Sequence, residues 1–309
     1  MKKVFIDGSA GTTGLRIAER LAERTDLYQI TLPEAERKCT AARARALNEA
    51  DVAILCLPDA AAREAVSLIE NPDTVVLDAS TAHRTAPGWV YGFPELSTAH
   101  AAAIRTAKRI AVPGCHASGF IALTAPLVAA GLLPPETQLS CFSLTGYSGG
   151  GKKMIAAYEE QPKPETLHAP RQYALGQAHK HLPEMAAQSG LPAPVFCPVV
   201  GDFYSGMQVT VPLFAAQCAP GTTAEAIAAV YRKAYAGPVV TFSEALDDNG
   251  FLSAAALAGK DSMRIGVAGN DERMLLLAVY DNLGKGASGA ALECLNMVLG
   301  AEPTQGLCL

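Results

Sequence analysis

The chain has 309 residues, half of them apolar and 18% charged, with a formal net charge of −5. This composition excludes a disordered chain, and the length, at about 150 residues per domain, allows roughly two domains with a sizeable core that needs neither metal nor disulfide. No dense Lys or Arg run marks a nucleic-acid partner, no apolar stretch of about 18 residues marks a membrane span, and eight cysteines without a CxxC pair point to reduced thiols in a cytoplasmic protein.

Taken in order, residues 2–6 (KKVFI) read as a buried strand, 7–14 as a glycine-punctuated turn, and 15–24 as a helix with Leu15, Ala18, Leu21 and Ala22 on one face. Strands are predicted at 28–32, 51–57, 74–78 and 109–112, with a helix over 60–69. Alternating strands and helices predict a doubly wound parallel sheet, covered on both faces, over the first ~115 residues. Beyond it, 137–146, 195–202, 206–217, 263–268 and 273–280 are strand-like with fewer helices between them, which predicts a mixed or antiparallel sheet. The stretch 146–171, rich in Gly, Lys and Pro, reads as an irregular functional segment. Residues 288–300 read as an amphipathic helix.

Gly8, Gly11 and Gly14 space a G-x-x-G-x-x-G turn between the first strand and the first helix. With Ser9, Ala10, Thr12 and Thr13 they form a candidate pyrophosphate cradle, because glycine permits close backbone approach and the helix start offers free N–H groups. After the second strand, Glu34 and Glu36 offer carboxylates for a ribose hydroxyl. Arg37 and Lys38 offer cations for a 2′-phosphate and tilt the reading to NADP. Pro58 and Ser80, after the third and fourth strands, lie where cofactors sit in such sheets. Arg84 follows Ser80 in DASTAHR and suits an anionic substrate group.

Cys115, in AVPGCHASG, is placed by strand, Pro-Gly turn and helix at a helix N-terminus, where a thiol is activated and an oxyanion stabilised. The other reading is a buried structural cysteine, as expected for the remaining seven. His179 and His181, two apart in AHKHLPE with Glu184 nearby, suit proton transfer and substrate binding, or a surface pair. A metal pair lacks a third ligand of supporting spacing, so no metal site is predicted. Ser148, Gly149 and Lys152 lie in SGGGKK, a candidate anion-binding nest in which Gly149 is a candidate cofactor contact. Asn282 lies in the polar turn DNLGKG, suited to a cofactor contact.

The motifs IDGSAGTTG, LDASTAHR, YGFPEL, VPGCHASG, YSGGGKK, HKHLPE and DNLGKGASG, with the Gly306-Leu307 tail, resemble in order and spacing the N-acetyl-gamma-glutamyl-phosphate reductases in their shorter form, of the aspartate-semialdehyde and glyceraldehyde-phosphate dehydrogenase superfamily. The longer form reads DLSADFR where this chain has DASTAHR. The resemblance implies an α/β fold: a Rossmann-type doubly wound domain, 1–114, completed by the C-terminal helix, 286–309, and an α+β mixed-sheet catalytic and oligomerisation domain, 115–285. It implies Cys115 as nucleophile and His179 as general acid/base. His181, Glu184, Arg84, Ser148 and Lys152 become substrate contacts, NADP the cofactor, and a homodimer or homotetramer the assembly. The implied reaction reduces a small acyl phosphate through a cysteine thioester, in arginine biosynthesis. The alternatives are an acyl-phosphate reductase for another substrate, such as aspartyl phosphate, a non-catalytic dinucleotide-binding regulator, or a zinc enzyme.

Overall fold

A computed structural model describes residues 1–309, which divide into two compact units. Unit 1 comprises Met1–Pro94, Thr98–Pro113 and Ala287–Leu307, and unit 2 comprises Glu95–Ser97, Gly114–Gly286 and Cys308–Leu309.

Unit 1 holds β1 (Lys2–Asp7), α1 (Thr12–Ala22), β2 (Leu27–Ile30), α2 (Thr40–Glu49), β3 (Val52–Leu55), α3 (Asp59–Ser67), β4 (Val75–Asp78), β5 (Val90–Tyr91), α4 (Thr98–Thr106) and β6 (Arg109–Ala111). Its six strands are all parallel, in the order β2-β1-β3-β4-β6-β5. Period-two alternation builds its two core layers. Val4, Ile6, Val52, Ile54 and Leu77 face Ile17 and Leu21 of α1, while Phe5, Ala53, Leu55 and Val76 face α2 and α3. The chain leaves β1 for β2 on one side and returns to β3 on the other. The β1–α1 turn therefore lies at the switch point where such sheets bind ligands.

Unit 2 holds α5 (Cys115–Ala129), β7 (Ser140–Gly146), α6 (Gly151–Glu159), β8 (Arg171–Gln172), α7 (Leu182–Ser189), β9 (Val195–Gly201), β10 (Met207–Phe214), α8 (Ala224–Ala234), β11 (Val240–Phe242), β12 (Met263–Gly269) and β13 (Arg273–Tyr280). The seven strands form a mixed sheet in the order β11-β12-β13-β10-β7-β9-β8. Alternate residues Met207, Val209, Val211 and Leu213 of β10, with Met274, Leu276 and Ala278 of β13, are buried under the helices. α5 is apolar on all sides and buried along most of its length, as a helix laid between a sheet and its neighbours must be.

α9 (Gly289–Val298) returns to unit 1. Amphipathicity was expected of it, yet every residue from Gly289 to Met297 is buried. Its two inward polar groups have dedicated roles. Asn296 bonds Arg24 Nη1 and the carbonyls of Pro303 and Gln305, and Glu293 is also engaged. The stretch 146–171 is likewise more ordered than expected: Lys152 and Lys153 stand in the first turn of α6. α1 begins at Thr12, three residues ahead of the periodic apolar run, so Thr12, Thr13 and Gly14 are helical. α2, which lacks a strong apolar stripe, was not foreseen.

Candidate active site

In unit 1 the glycine turn is shaped by close approach. Gly8 has φ +92, and a Cβ there would lie 2.3 Å from the Cys56 carbonyl oxygen. A Cβ on Gly14 would lie 2.4 Å from the Gly8 oxygen. Gly11 closes the turn, donating its N–H to Gly8 O at 3.0 Å and capping α1 with no side-chain bond. Helical geometry then leaves the first-turn N–H groups of Thr12, Thr13 and Gly14 without intrahelical acceptors.

Beside the turn lies a cavity of about 470 Å³, lined among others by Gly8, Ser9, Ala10, Arg37, Lys38 and Arg43. Of the predicted pyrophosphate cradle, Gly8, Ser9 and Ala10 line this cavity together with Arg37 and Lys38, while Gly11, Thr12, Thr13 and Gly14 are not in its lining; the mix of turn backbone and cations fits a dinucleotide. Glu34 lines it as well, and sequence reasoning missed Arg43 and Asp7. Arg43 Nε lies 3.0 Å from Asp7 Oδ2 and its Nη1 3.0 Å from Glu64. Burial pushes the Asp7 carboxyl upward, and the guanidinium opposes that shift.

Pro58 caps α3, next to the cavity residue Leu57. Ser80 turns inward: its hydroxyl donates to Asp78 Oδ2 at 2.7 Å. The same carboxylate holds His83 Nδ1 at 2.6 Å, and the His83 ring stacks on Trp89 with centroids 4.1 Å apart. Arg84 is buried, with Nε on Val112 O and Nη2 on Ala79 O, both at 3.0 Å. Its guanidinium pins the segments leaving β4 and β6.

In unit 2, Cys115 is the first residue of α5 and is partly exposed. Three of the other cysteines are chemically suppressed: burial pushes the Cys56 thiol up to about 12 and raises those of Cys141 and Cys218 as well. The α5 start is held from several sides. Glu184 Oε2 accepts the Gly114 N–H at 3.1 Å, and the Tyr280 hydroxyl donates to the Cys115 carbonyl. A Cβ on Gly286 would approach Cys115 Cβ to 2.9 Å, so only glycine lets that turn close against the thiol-bearing residue.

His179, His181 and His116 form a ring cluster with centroids 4.7–5.6 Å apart. Two-residue spacing was expected to place His179 and His181 on one side of an extended segment. They instead meet at a turn into α7, where His181 N–H donates to His179 Nδ1 at 3.1 Å. That bond makes Nδ1 the acceptor and leaves the proton of neutral His179 on Nε2. The turn is strained, with Ala174 at φ 54 and Gln177 at φ 52. It is clasped by the Gln177 amide, which donates to Phe196 O and accepts from Phe196 N, both at 2.8 Å.

Two further neighbours carried no readable signal. His116 was passed over because sequence neighbours diverge. Its Nε2 lies 2.6 Å from the Tyr173 hydroxyl and its Nδ1 2.7 Å from Ser143 Oγ. Burial, helped by the charges of His179 and Lys180, pushes its imidazole down to about 3. Tyr173, brought in by the β8 edge, is raised by burial and by the nearby Cys115.

Ser148 and Asn282 lie together: Asn282 Nδ2 donates to Ser148 Oγ at 3.0 Å and its Oδ1 accepts Gly206 N–H at 2.9 Å. With Ser148 buried, this bond fixes the turn that carries Gly149, and the expected anion nest is a 3₁₀ turn running into α6.

Residues 3–104 match the family described as the semialdehyde dehydrogenase NAD-binding domain, and residues 115–282 its dimerisation domain. An N-acetyl-gamma-glutamyl-phosphate reductase of Burkholderia lata is 48% identical, with 96% of each chain covered. One of Sinorhizobium medicae is 46% identical, covering 97% of this chain and 99% of the relative. The chain belongs to the N-acetyl-gamma-glutamyl-phosphate reductase family. A second-numbered N-acetyl-gamma-glutamyl-phosphate reductase of Pseudomonas putida is 46% identical over 98% of both chains. Among solved structures, aspartate semialdehyde dehydrogenase II of Vibrio cholerae, complexed with ASA, aligns with a TM-score of 0.73 at 16% identity, covering 97% of this chain and 98% of that one. The Candida albicans aspartate semialdehyde dehydrogenase with NADP aligns at 0.69 and 14%, covering 97% and 99%. At such identities these likenesses show the shared fold. Membership makes the chain an oxidoreductase with an NAD-binding domain, and no helix in it is long and apolar enough to cross a membrane.

Proposed function

We propose that the chain reduces N-acetyl-gamma-glutamyl phosphate to the semialdehyde, with release of phosphate, through a thioester on Cys115. The observation that carries this reading is the placement of one partly exposed thiol at the first position of α5, in the unit that gathers His179, His181, Glu184 and Tyr173. The near-full-length identity to reductases of that name supplies the substrate.

The Cys115 thiolate attacks the acyl carbon, the carbon–oxygen bond to phosphate breaks, and the acyl group passes to sulfur. First-turn N–H groups of α5 stabilise the oxyanion. Splitting the reduction around a covalent acyl-enzyme is the advantage of the thiol. A reduced dinucleotide held by the Gly8–Gly14 turn with Arg37 and Lys38 would supply the hydride that reduces the thioester. Cys115 sulfur then leaves as thiolate, and His179, presenting Nε2–H, exchanges the proton on the substrate oxygen.

The Gly8–Gly14 turn and the α1 N–H groups hold the pyrophosphate, with Arg37 and Lys38 at the 2′-phosphate of NADP. Pro58 and Ser80 shape the strand ends of unit 1. His181, Glu184 and Lys152 position substrate, Ser148, Gly149 and Asn282 hold the unit 2 turn before α6, and Arg84 holds the strand ends of unit 1. The open face of the unit 2 sheet joins a second copy, which makes the enzyme a homodimer or a homotetramer.

The test is a Cys115→Ser variant. Turnover should fall to background while NADPH binding persists, and intact-mass measurement of the native enzyme with acyl phosphate and no NADPH should show the acyl adduct. Normal turnover in Cys115→Ser would overturn the proposal. Faster turnover with aspartyl phosphate than with N-acetyl-gamma-glutamyl phosphate would reassign the substrate.

A further inference from the structure

A hydrogen-bonded chain passes through His116, the residue after Cys115 on α5, to Tyr173, whose hydroxyl is near enough for the Cys115 charge to push its pKa up, and it has no part in the steps above. It runs from Ser143 on β7 through the His116 ring on α5 to the Tyr173 hydroxyl, with contacts of 2.7 and 2.6 Å. Ser143 is 0% exposed and His116 3%. A neutral imidazole has one donor and one acceptor nitrogen, so this chain can point in only two directions.

Suppose Nδ1 of His116 carried the proton. It would donate to Ser143 Oγ, and the Ser143 hydroxyl proton would be stranded, because His116 is that hydroxyl's one side-chain partner and solvent does not reach it. A buried donor left unmet costs about 1–3 kcal/mol. Suppose instead Ser143 donates to Nδ1. The imidazole proton is then on Nε2 and donates to the Tyr173 oxygen. The phenolic proton, excluded from His116, is free for another acceptor. The second arrangement meets both fully buried donors, the Ser143 hydroxyl and the His116 N–H, and leaves the one uncommitted proton on Tyr173, the partly exposed end of the chain.

We infer that Ser143 and His116 are positioning residues that fix the direction of this chain, so that Tyr173 presents its O–H to the Cys115 sulfur and stabilises the thiolate. This inference rests on Cys115 being the nucleophile. The chain cannot reverse by titration at working pH: His116 stays neutral and Tyr173 stays protonated, both through burial. Other groups also face the thiol's surroundings. His179, His181 and Lys180 precede α7, Glu184 is in its first turn, and Tyr280 on β13 donates to the Cys115 carbonyl. Variants at Ser143 and Tyr173 leave all of these in place, so differences between them isolate the chain.

The experiment is the pH dependence of Cys115 alkylation by iodoacetamide in the full chain, with the site read by peptide mass spectrometry. Tyr173→Phe should raise the midpoint by about one pH unit, a tenfold loss of thiolate at a given pH below it. Ser143→Ala should raise it comparably, and Ser143→Thr, which keeps the hydroxyl, should restore the native midpoint. The double variant Ser143→Ala/Tyr173→Phe should shift no further than Tyr173→Phe alone, because both cut one chain. A packing role would change stability and leave the midpoint in place. Unchanged midpoints in both single variants, or additive shifts in the double, would overturn the inference. Retained turnover in Cys115→Ser would instead overturn the assignment of the nucleophile, and the alkylation midpoints would be unaffected by that result.

Discussion

Burial takes the His116 imidazole from its ordinary range to about 3, so the folded chain holds it neutral. The unfolded chain binds a proton there below about 6.5. A group depressed on folding stabilises the fold above its unfolded pKa, and that contribution is lost as pH falls from about 6.5 toward 3, at about 1.4 kcal/mol per unit. Denaturant midpoints should therefore fall between pH 7.5 and pH 5 in the native chain. They should fall less steeply in His116→Gln, and equal slopes would show that this ring does not titrate between the two states. At the cofactor cavity, Arg37 and Lys38 are argued to meet a 2′-phosphate. A charge-assisted hydrogen bond contributes about 1.5–3 kcal/mol, so Arg37→Glu/Lys38→Glu should raise the KM for NADPH on the order of tenfold or more, with that for NADH little changed. Equal effects on both cofactors would count against the assignment.

At the scale of elements, the segment from Tyr173 to His181 is held against its own backbone preference. Two non-glycine residues in the left-handed region cost about 1–2 kcal/mol each, and the Gln177 amide clasp to Phe196 holds them there. Gln177→Ala should destabilise the chain by about 2 kcal/mol, for two lost hydrogen bonds, and lower kcat while leaving the KM for NADPH unchanged. An unaltered kcat would show that the clasp does not position the histidines. Gly286→Ala tests the opposite side of the thiol. Its Cβ would meet Cys115 Cβ at 2.9 Å, and a displacement of even part of an ångström should lower turnover on the order of tenfold.

Five of the six unit 1 strands, the glycine turn and the helix-start cysteine were legible because each follows from local periodicity or a turn requirement, whereas the two-residue β5 is too short to show a period. α2, the burial of α9 and the order of 146–171 were not, since tertiary packing decides them. Tyr173, Ser143 and Arg43 were invisible because strand pairing and helix packing bring them in from distant segments, with no spacing to betray them.

At the scale of the whole molecule, the unit 2 sheet has one face under helices and one open. Phe142, Val195, Phe214 and Leu275 alternate with the core residues of their strands and are 40–61% exposed. A row of apolar side chains on a broad sheet marks an association surface, in the part of the chain that matches a dimerisation domain. Phe142→Glu/Leu275→Glu should convert the oligomer to monomers in size-exclusion chromatography with light scattering. An unchanged mass would place the interface elsewhere.

The sequence contains a single tryptophan, and Trp89 lies in unit 1, stacked on the ring that Asp78 anchors. Indole emission is therefore a reporter for that unit alone. Circular dichroism averages over both. Denaturation followed by the two signals at once yields, without any labelling, a direct reading of whether the cofactor unit and the thiol unit melt as one cooperative body or as two.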